Sequence, residues 1–151
     1  MAETIKNMSI DYYHDTVTLL SSFVLPEVEL LSTPMHYNYN GIQPLEMIKE
    51  LQLDFVRGNI IKYLSRYRWK NGLEDLKKMQ YYSRYLVDNF DEFKRPNIKN
   101  TFNIEKYCED KLFTKLETGF VKLICDSSKN IKDNNQLGTI IWASNLIVNS
   151  H

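Results

Sequence analysis

Cysteine, histidine and glycine are scarce in this chain, and each scarcity closes a route. Two cysteines, Cys108 and Cys125, cannot build a disulfide framework; they point to a reduced, cytoplasmic protein that uses both thiols as buried apolar groups. Three histidines (His14, His36 and His151) are scattered, without the paired spacing of a zinc site. The five glycines form neither a G-x-x-x-x-G-K-[ST] loop nor a G-x-G-x-x-G turn, so no recognised glycine cradle awaits a triphosphate. No apolar run approaches the roughly 20 residues of a transmembrane helix. The N-terminus is acidic and lacks the early apolar run of a signal peptide. No internal repeat and no low-complexity tract is visible. Charge of one sign is missing too, since 19 Lys+Arg balance 19 Asp+Glu.

The zero net charge hides an uneven distribution. Residues 1–35 carry one base and five acids, residues 36–87 nine bases and five acids, and residues 88–151 nine of each. Positive charge therefore collects in one segment, where an anionic ligand would find it.

A length of 151 residues suits a single domain with a real core. Hydrophobic spacings of three and four predict an all-α fold built on a central helical hairpin. Its first helix is expected from about Leu53 to Lys70, with Val56, Ile60, Tyr63, Leu64 and Tyr67 as the core stripe. Asn71-Gly72 ends it, and a second helix runs from about Leu73 to Phe93 with Leu76, Met79, Ser83, Leu86, Val87 and Phe90 inward. Residues 36–93 thus form a core segment, and residues 1–35 and 97–151 are helical flanks of unassigned role. Within the flanks, residues 9–31 read as one helix or two, 33–41 as a loop, 103–125 as a helix, 127–136 as a polar loop. The segment 137–148 is helix or strand, and is taken as helix. Pro44 suits the first turn of a short helix with Leu45, Ile48 and Leu51 inward.

The chemistry concentrates on one edge of the first hairpin helix. Asn59, Lys62, Arg66 and Lys70 stand about one turn apart and adjoin the apolar stripe. Cations at this spacing project together, and an Arg fork with a Lys point charge suits phosphate oxygens. The bland alternative is a solvated helix face; that reading is taken for Arg57 and Arg68, which point the other way. Asp75, Lys78 and Tyr82 line an edge of the second helix. Asp75 either orients Lys62 or Arg66, or binds a sugar hydroxyl, or is a helix N-terminal acid beside an ion pair. His36 and Tyr37 either contact phosphate and base or belong to a packed aromatic loop. Glu46 and Glu50 stand one turn apart, but no facing acids complete a magnesium site.

The strings His36-Tyr37, Gly58-Asn59-Ile60-Ile61-Lys62-Tyr63-Leu64-Ser65-Arg66-Tyr67, Lys70-Asn71-Gly72-Leu73-Glu74-Asp75-Leu76-Lys77-Lys78 and Tyr81-Tyr82 resemble the small phage proteins labelled "nucleotide kinase", which carry a DUF3310-type domain. The resemblance spans about residues 36–87. It implies a phage protein that handles nucleotides, and by motif position it puts His36, Asn59, Lys62, Arg66, Lys70, Asp75 and Lys78 in or beside the site. Phosphoryl transfer needs two nucleotide sites, charge neutralisation and usually Mg²⁺; a protein that only holds a nucleotide needs a cationic patch, aromatics and a shielded pocket.

The expectation is therefore a binder of a small anionic nucleotide, working without chemistry, with no cofactor and no metal. Such a protein would sequester a nucleotide, for instance a host defence signal. The alternative is a nucleoside-monophosphate kinase lacking a Walker loop, which would use ATP and Mg²⁺. A homo-oligomer is expected, because one hairpin offers a shallow surface. The short basic patch disfavours nucleic acid as partner.

Overall fold

The computed structural model describes residues 14–19, 41–96, 101–126 and 133–151. The chain divides into two compact units, Met1–Ser32 and Thr33–His151. In the first, residues 14–19 are helical; the rest of the helix expected over 9–31, and residues 33–40 of the expected loop, lie outside the described residues.

The second unit contains α1 (Pro44–Glu50), α2 (Phe55–Arg66), α3 (Leu73–Asp88), a 3₁₀ turn (Phe90–Glu92), α4 (Ile104–Asp110), α5 (Lys115–Cys125) and α6 (Asn134–Asn149). Among the described residues there is no strand, so the all-α expectation holds and the 137–148 segment is helix. Pro44 does open α1, but Leu45 is exposed and Met47 takes the inward place beside Leu51. The hairpin is α2 and α3. Asp54 caps α2 by accepting from the Arg57 amide at 2.8 Å. The helix stops four residues earlier than its apolar spacing suggests. Trp69 N donates to the Arg66 carbonyl at 3.0 Å and Gly72 N to that of Tyr67 at 2.9 Å, with Gly72 at φ +52°. Lys70 is consequently an exposed turn residue rather than a rung of the helix.

The stretch 103–125 is two helices. At the end of α4 the chain turns through Leu112 at φ +58°, with Phe113 N bonding Cys108 O at 3.0 Å and Leu112 N bonding Glu109 O at 2.9 Å. These are the paired bonds of a Schellman ending, made here without glycine. Thr114 and Glu117 then form a reciprocal capping box that starts α5.

The same sequence of events occurs sixty residues earlier. The end of α1 passes through Gln52 at φ +48°, Leu53 N bonds Ile48 O at 3.0 Å, Gln52 N bonds Lys49 O at 3.1 Å, and Asp54 caps α2. Helices of 7, 12 and 16 residues (α1, α2, α3) are thus followed by helices of 7, 11 and 16 (α4, α5, α6). Many buried positions correspond: Met47 with Tyr107, Ile60 with Phe120, Ile61 with Val121, Leu64 with Ile124, then Leu76 with Leu137, Met79 with Ile140, Ser83 with Ser144 and Leu86 with Ile147. Equivalent helices pack on each other, α3 on α6 and α2 on α5. That is the isologous pattern of a two-fold pair, within one chain. The unit is a structural duplication, contrary to the expectation of no repeat.

Two charged residues at equivalent places lock the halves together; Arg57 is not the solvated cation expected, while Arg68 lies at the surface as expected but in an ion pair with the buried Glu117. Arg57 is 2 % exposed; it donates through Nη1 to Asp54 Oδ2 at 2.7 Å and to the Phe93 carbonyl, and through Nε to the Ile124 carbonyl at 3.0 Å, at the end of α5. Glu117 holds the matching position in α5 and is also 2 % exposed; it accepts from Arg68 at 2.7 Å and from the Tyr67 hydroxyl at 3.1 Å, just past the end of α2. Burial raises the Tyr67 hydroxyl to about 12, helped by the Glu117 charge.

Candidate functional site

The exposed side of the α2–α3 hairpin is organised around one ring. Tyr63 was placed in the core stripe by its spacing, but it is only partly buried. Three cations surround its face: Lys62 Nζ at 4.4 Å from the centroid, Arg66 Cζ at 4.8 Å and Lys78 Nζ at 5.5 Å. All three lie within the range at which a ring quadrupole attracts a cation. Tyr82, from α3, stacks alongside Tyr63 with centroids 6.0 Å apart and planes 14° apart. The hairpin thus brings Lys62, Arg66, Lys78 and Tyr82 together around the Tyr63 ring.

The members of this cluster are not equally available. Arg66 is 8 % exposed and its fork is held by Asp75, Nε to Oδ2 at 3.0 Å and Nη2 to Oδ1 at 3.1 Å. Asp75 is wholly buried and also accepts from Asn71 Nδ2 at 3.4 Å. It is therefore the carboxylate that orients Arg66. Lys78 pairs with Glu74 at 3.0 Å, and this hydrogen bond is the main reason its ammonium titrates above its ordinary range. Lys62, among the described residues, enters no ion pair. Asn59 is 7 % exposed and spends one amide proton on the Phe55 carbonyl at 2.8 Å. Lys70 lies in the turn after α2 and is not brought to the ring. His36 and Tyr37 lie outside the described residues.

Beside the cation cluster lies a cleft of 350 Å³ lined by Phe55, Val56, Tyr81, Tyr82, Tyr85 and Phe93. Phe55 is 75 % exposed, Tyr81 62 % and Tyr85 43 %. Phe55 meets Tyr82 edge-on at 6.1 Å. It also borders a 160 Å³ depression that contains Asn59 and Lys62. Phe55 and Tyr82 are therefore shared walls between an aromatic cleft and a cationic face. The aromatic cleft was missed at the level of sequence. Its signal was present: Tyr81 and Tyr85 stand one turn apart on the polar side of α3, where no core demands an aromatic.

Among the described residues, no three His, Cys, Asp or Glu side chains gather as metal ligands. No helix among them is long and apolar enough to cross a membrane. Both cysteines are free and buried. Burial pushes the Cys108 thiol up to about 11 and the Cys125 thiol up to about 12.

Fold and site together define an all-α hairpin domain with a cationic, aromatic outer face. Residues 31–84 match the model of a family described as a protein of unknown function (DUF3310). No curated protein and no solved structure matches the chain.

Proposed function

We propose that the chain binds a small anionic nucleotide on the outer face of the α2–α3 hairpin and holds it without chemical change. The observation that carries this reading is the convergence of Lys62, Arg66 and Lys78 on the Tyr63 ring, next to an open aromatic cleft. Such a face supplies charge for phosphate and rings for a base. The two acids of the site are already engaged, Asp75 by Arg66 and Glu74 by Lys78. This favours holding over proton transfer, which needs a carboxylate free to accept.

The biological reading that follows is a phage protein, working in the cytoplasm of the infected cell, that sequesters a nucleotide such as a cyclic or ADP-ribose-type defence signal. Packing of two or more chains would deepen the site; light scattering at the monomer mass would overturn that part. Titration calorimetry against mononucleotides, cyclic dinucleotides and ADP-ribose tests the function itself. Saturable binding that Lys62→Ala weakens is expected, and no binding across the panel would overturn it. Conversion of ATP and a nucleoside monophosphate into two diphosphates would show the alternative, a nucleotide kinase lacking a Walker loop.

A further inference from the structure

We infer that the cleft between α2 and α3 is a base-binding subsite, so that the ligand is a single nucleotide with its ring against Phe55, Tyr82 and Tyr85 and its phosphate on Lys62 and Lys78. This rests on the nucleotide-holding reading above and gives it a ligand class and an orientation.

Three observations converge. The first is size: the cleft measures 350 Å³, at the low end of the roughly 300–1,000 Å³ of small-ligand sites, which is room for one nucleoside. The second is the chemistry of the walls. Phe55, Tyr81, Tyr85 and Phe93 present ring faces and edges at which any base can stack, while Lys62 and Lys78 lie across Tyr82 on the Tyr63 side. A ligand that satisfies both must carry a flat apolar ring at one end and an anion at the other. The third is the duplication. In the second half a cleft of 290 Å³ recurs between α5 and α6, and Trp142 stands where Tyr81 stands in the first. Trp142 is 59 % exposed, so both halves leave a large ring open to solvent at this place on the third helix of the trio.

The charged part of the site, by contrast, exists only once. Leu123 stands where Tyr63 is, and Thr139 where Lys78 is; Lys122, the counterpart of Lys62, is tied to Glu105 at 2.6 Å. The halves therefore share a cleft, the second lined by Lys115, but the tyrosine ring surrounded by three cations belongs to the first half alone. We take this to mean one nucleotide per chain, bound by the first half.

Titration calorimetry on the full chain decides this, using the four common nucleoside 5′-monophosphates, ribose 5-phosphate and inorganic phosphate as probes. Monophosphates should bind one per chain and at least about tenfold tighter than ribose 5-phosphate, the scale of one base stacked on aromatic rings. Phe55→Ala and Tyr85→Ala should each bring monophosphate affinity down towards that of ribose 5-phosphate, which itself should not change. Both side chains are largely exposed, so the fold is not at stake, and unchanged circular dichroism checks it. Trp142→Ala should leave every affinity as it was. Monophosphates binding no tighter than ribose 5-phosphate, or indifferent to Phe55→Ala and Tyr85→Ala, would overturn the base subsite and leave the nucleotide grip standing. Loss of binding in Trp142→Ala would overturn the assignment to the first half. No binding by any nucleotide would overturn both readings.

Discussion

Arg66 and Asp75 face each other across the turn of the hairpin through two hydrogen bonds of 3.0 and 3.1 Å, and Asp75 has no exposed surface at all. The pair joins the end of α2 to the first turn of α3, and it also fixes the guanidinium above the Tyr63 ring at 4.8 Å. One interaction therefore serves the fold and the shape of the site. Removing either partner strands the other charge away from water, which costs about 3–5 kcal/mol. Asp75→Ala and Arg66→Ala should each lower the urea-unfolding free energy by about that amount, and the double variant should lose much less than the sum. Additive losses would mean that the two do not act as a pair.

Lys62 behaves differently. Its ammonium lies over Tyr63 and, among the described residues, is bound by no acid. Lys62→Ala should leave the unfolding free energy within about 0.5 kcal/mol of the parent, as surface substitutions do. The same change should weaken nucleotide binding by about 1–3 kcal/mol, the scale of a charge-assisted hydrogen bond. Calorimetric titration and urea unfolding of the one variant check both halves. Lys62 and Arg66 looked alike as rungs of a ladder; the buried partner of Arg66 separates them.

The fold was legible where spacing and caps speak for themselves, and illegible where one half of the chain mirrors the other. Leu76, Met79, Ser83 and Leu86 were readable as the inner face of α3 because each falls at helical intervals, whereas Phe90, expected on the same helix, lies in the 3₁₀ turn beyond its end. The duplication was not, because corresponding positions keep burial rather than identity: Met47 answers Tyr107, and Ile60 answers Phe120. The break after α4 was hidden because Leu112, not glycine, takes the left-handed turn. Thr114-x-x-Glu117 was its only printed signal. Arg57 was misread for a related reason. A wheel shows that it points away from Lys62, but not that the end of α5 lies there to receive it. In the site, cation spacing gave Lys62, Arg66 and Lys78, while the aromatic cleft depends on how Phe55 approaches Tyr82 across the hairpin, which no single helix reveals.

Alkaline pH should unfold the protein through its buried acids. Burial raises the Cys125 thiol from its ordinary 9.0 to about 12, against the pull of the nearby Arg95 guanidinium, and Tyr67 rises from 10.0 to about 12. A group with a raised folded-state pKa contributes its full stability below the unfolded value and loses it as pH climbs through the folded one. Stability should therefore hold to about pH 9 and then fall towards pH 12. Cys125 alone would contribute a slope of about 1.4 kcal/mol per pH unit. Urea unfolding at pH 8, 9, 10 and 11 measures the slope, and Cys125→Ala should reduce it. A flat profile across this window would show that the thiol reaches water in the folded state.

Glu117 joins the start of α5 to the end of α2. Its carboxylate accepts from the Thr114 amide at 3.1 Å to complete the capping box, from Arg68 at 2.7 Å and from the Tyr67 hydroxyl at 3.1 Å. Thr114→Ala removes only the cap and should cost about 1 kcal/mol. Glu117→Ala removes the cap's return bond and leaves Arg68 without its buried acid, so a loss of about 3 kcal/mol is expected. Glu117→Gln keeps an acceptor for Tyr67 and should fall between the two. Thermal unfolding of the three variants gives the order. Because Glu117 and Arg57 hold equivalent places and each reaches the end of the other half's second helix, Arg57→Ala should cost at least as much as Glu117→Ala. A mild Arg57→Ala would break the equivalence of the halves at the position where it ties them together.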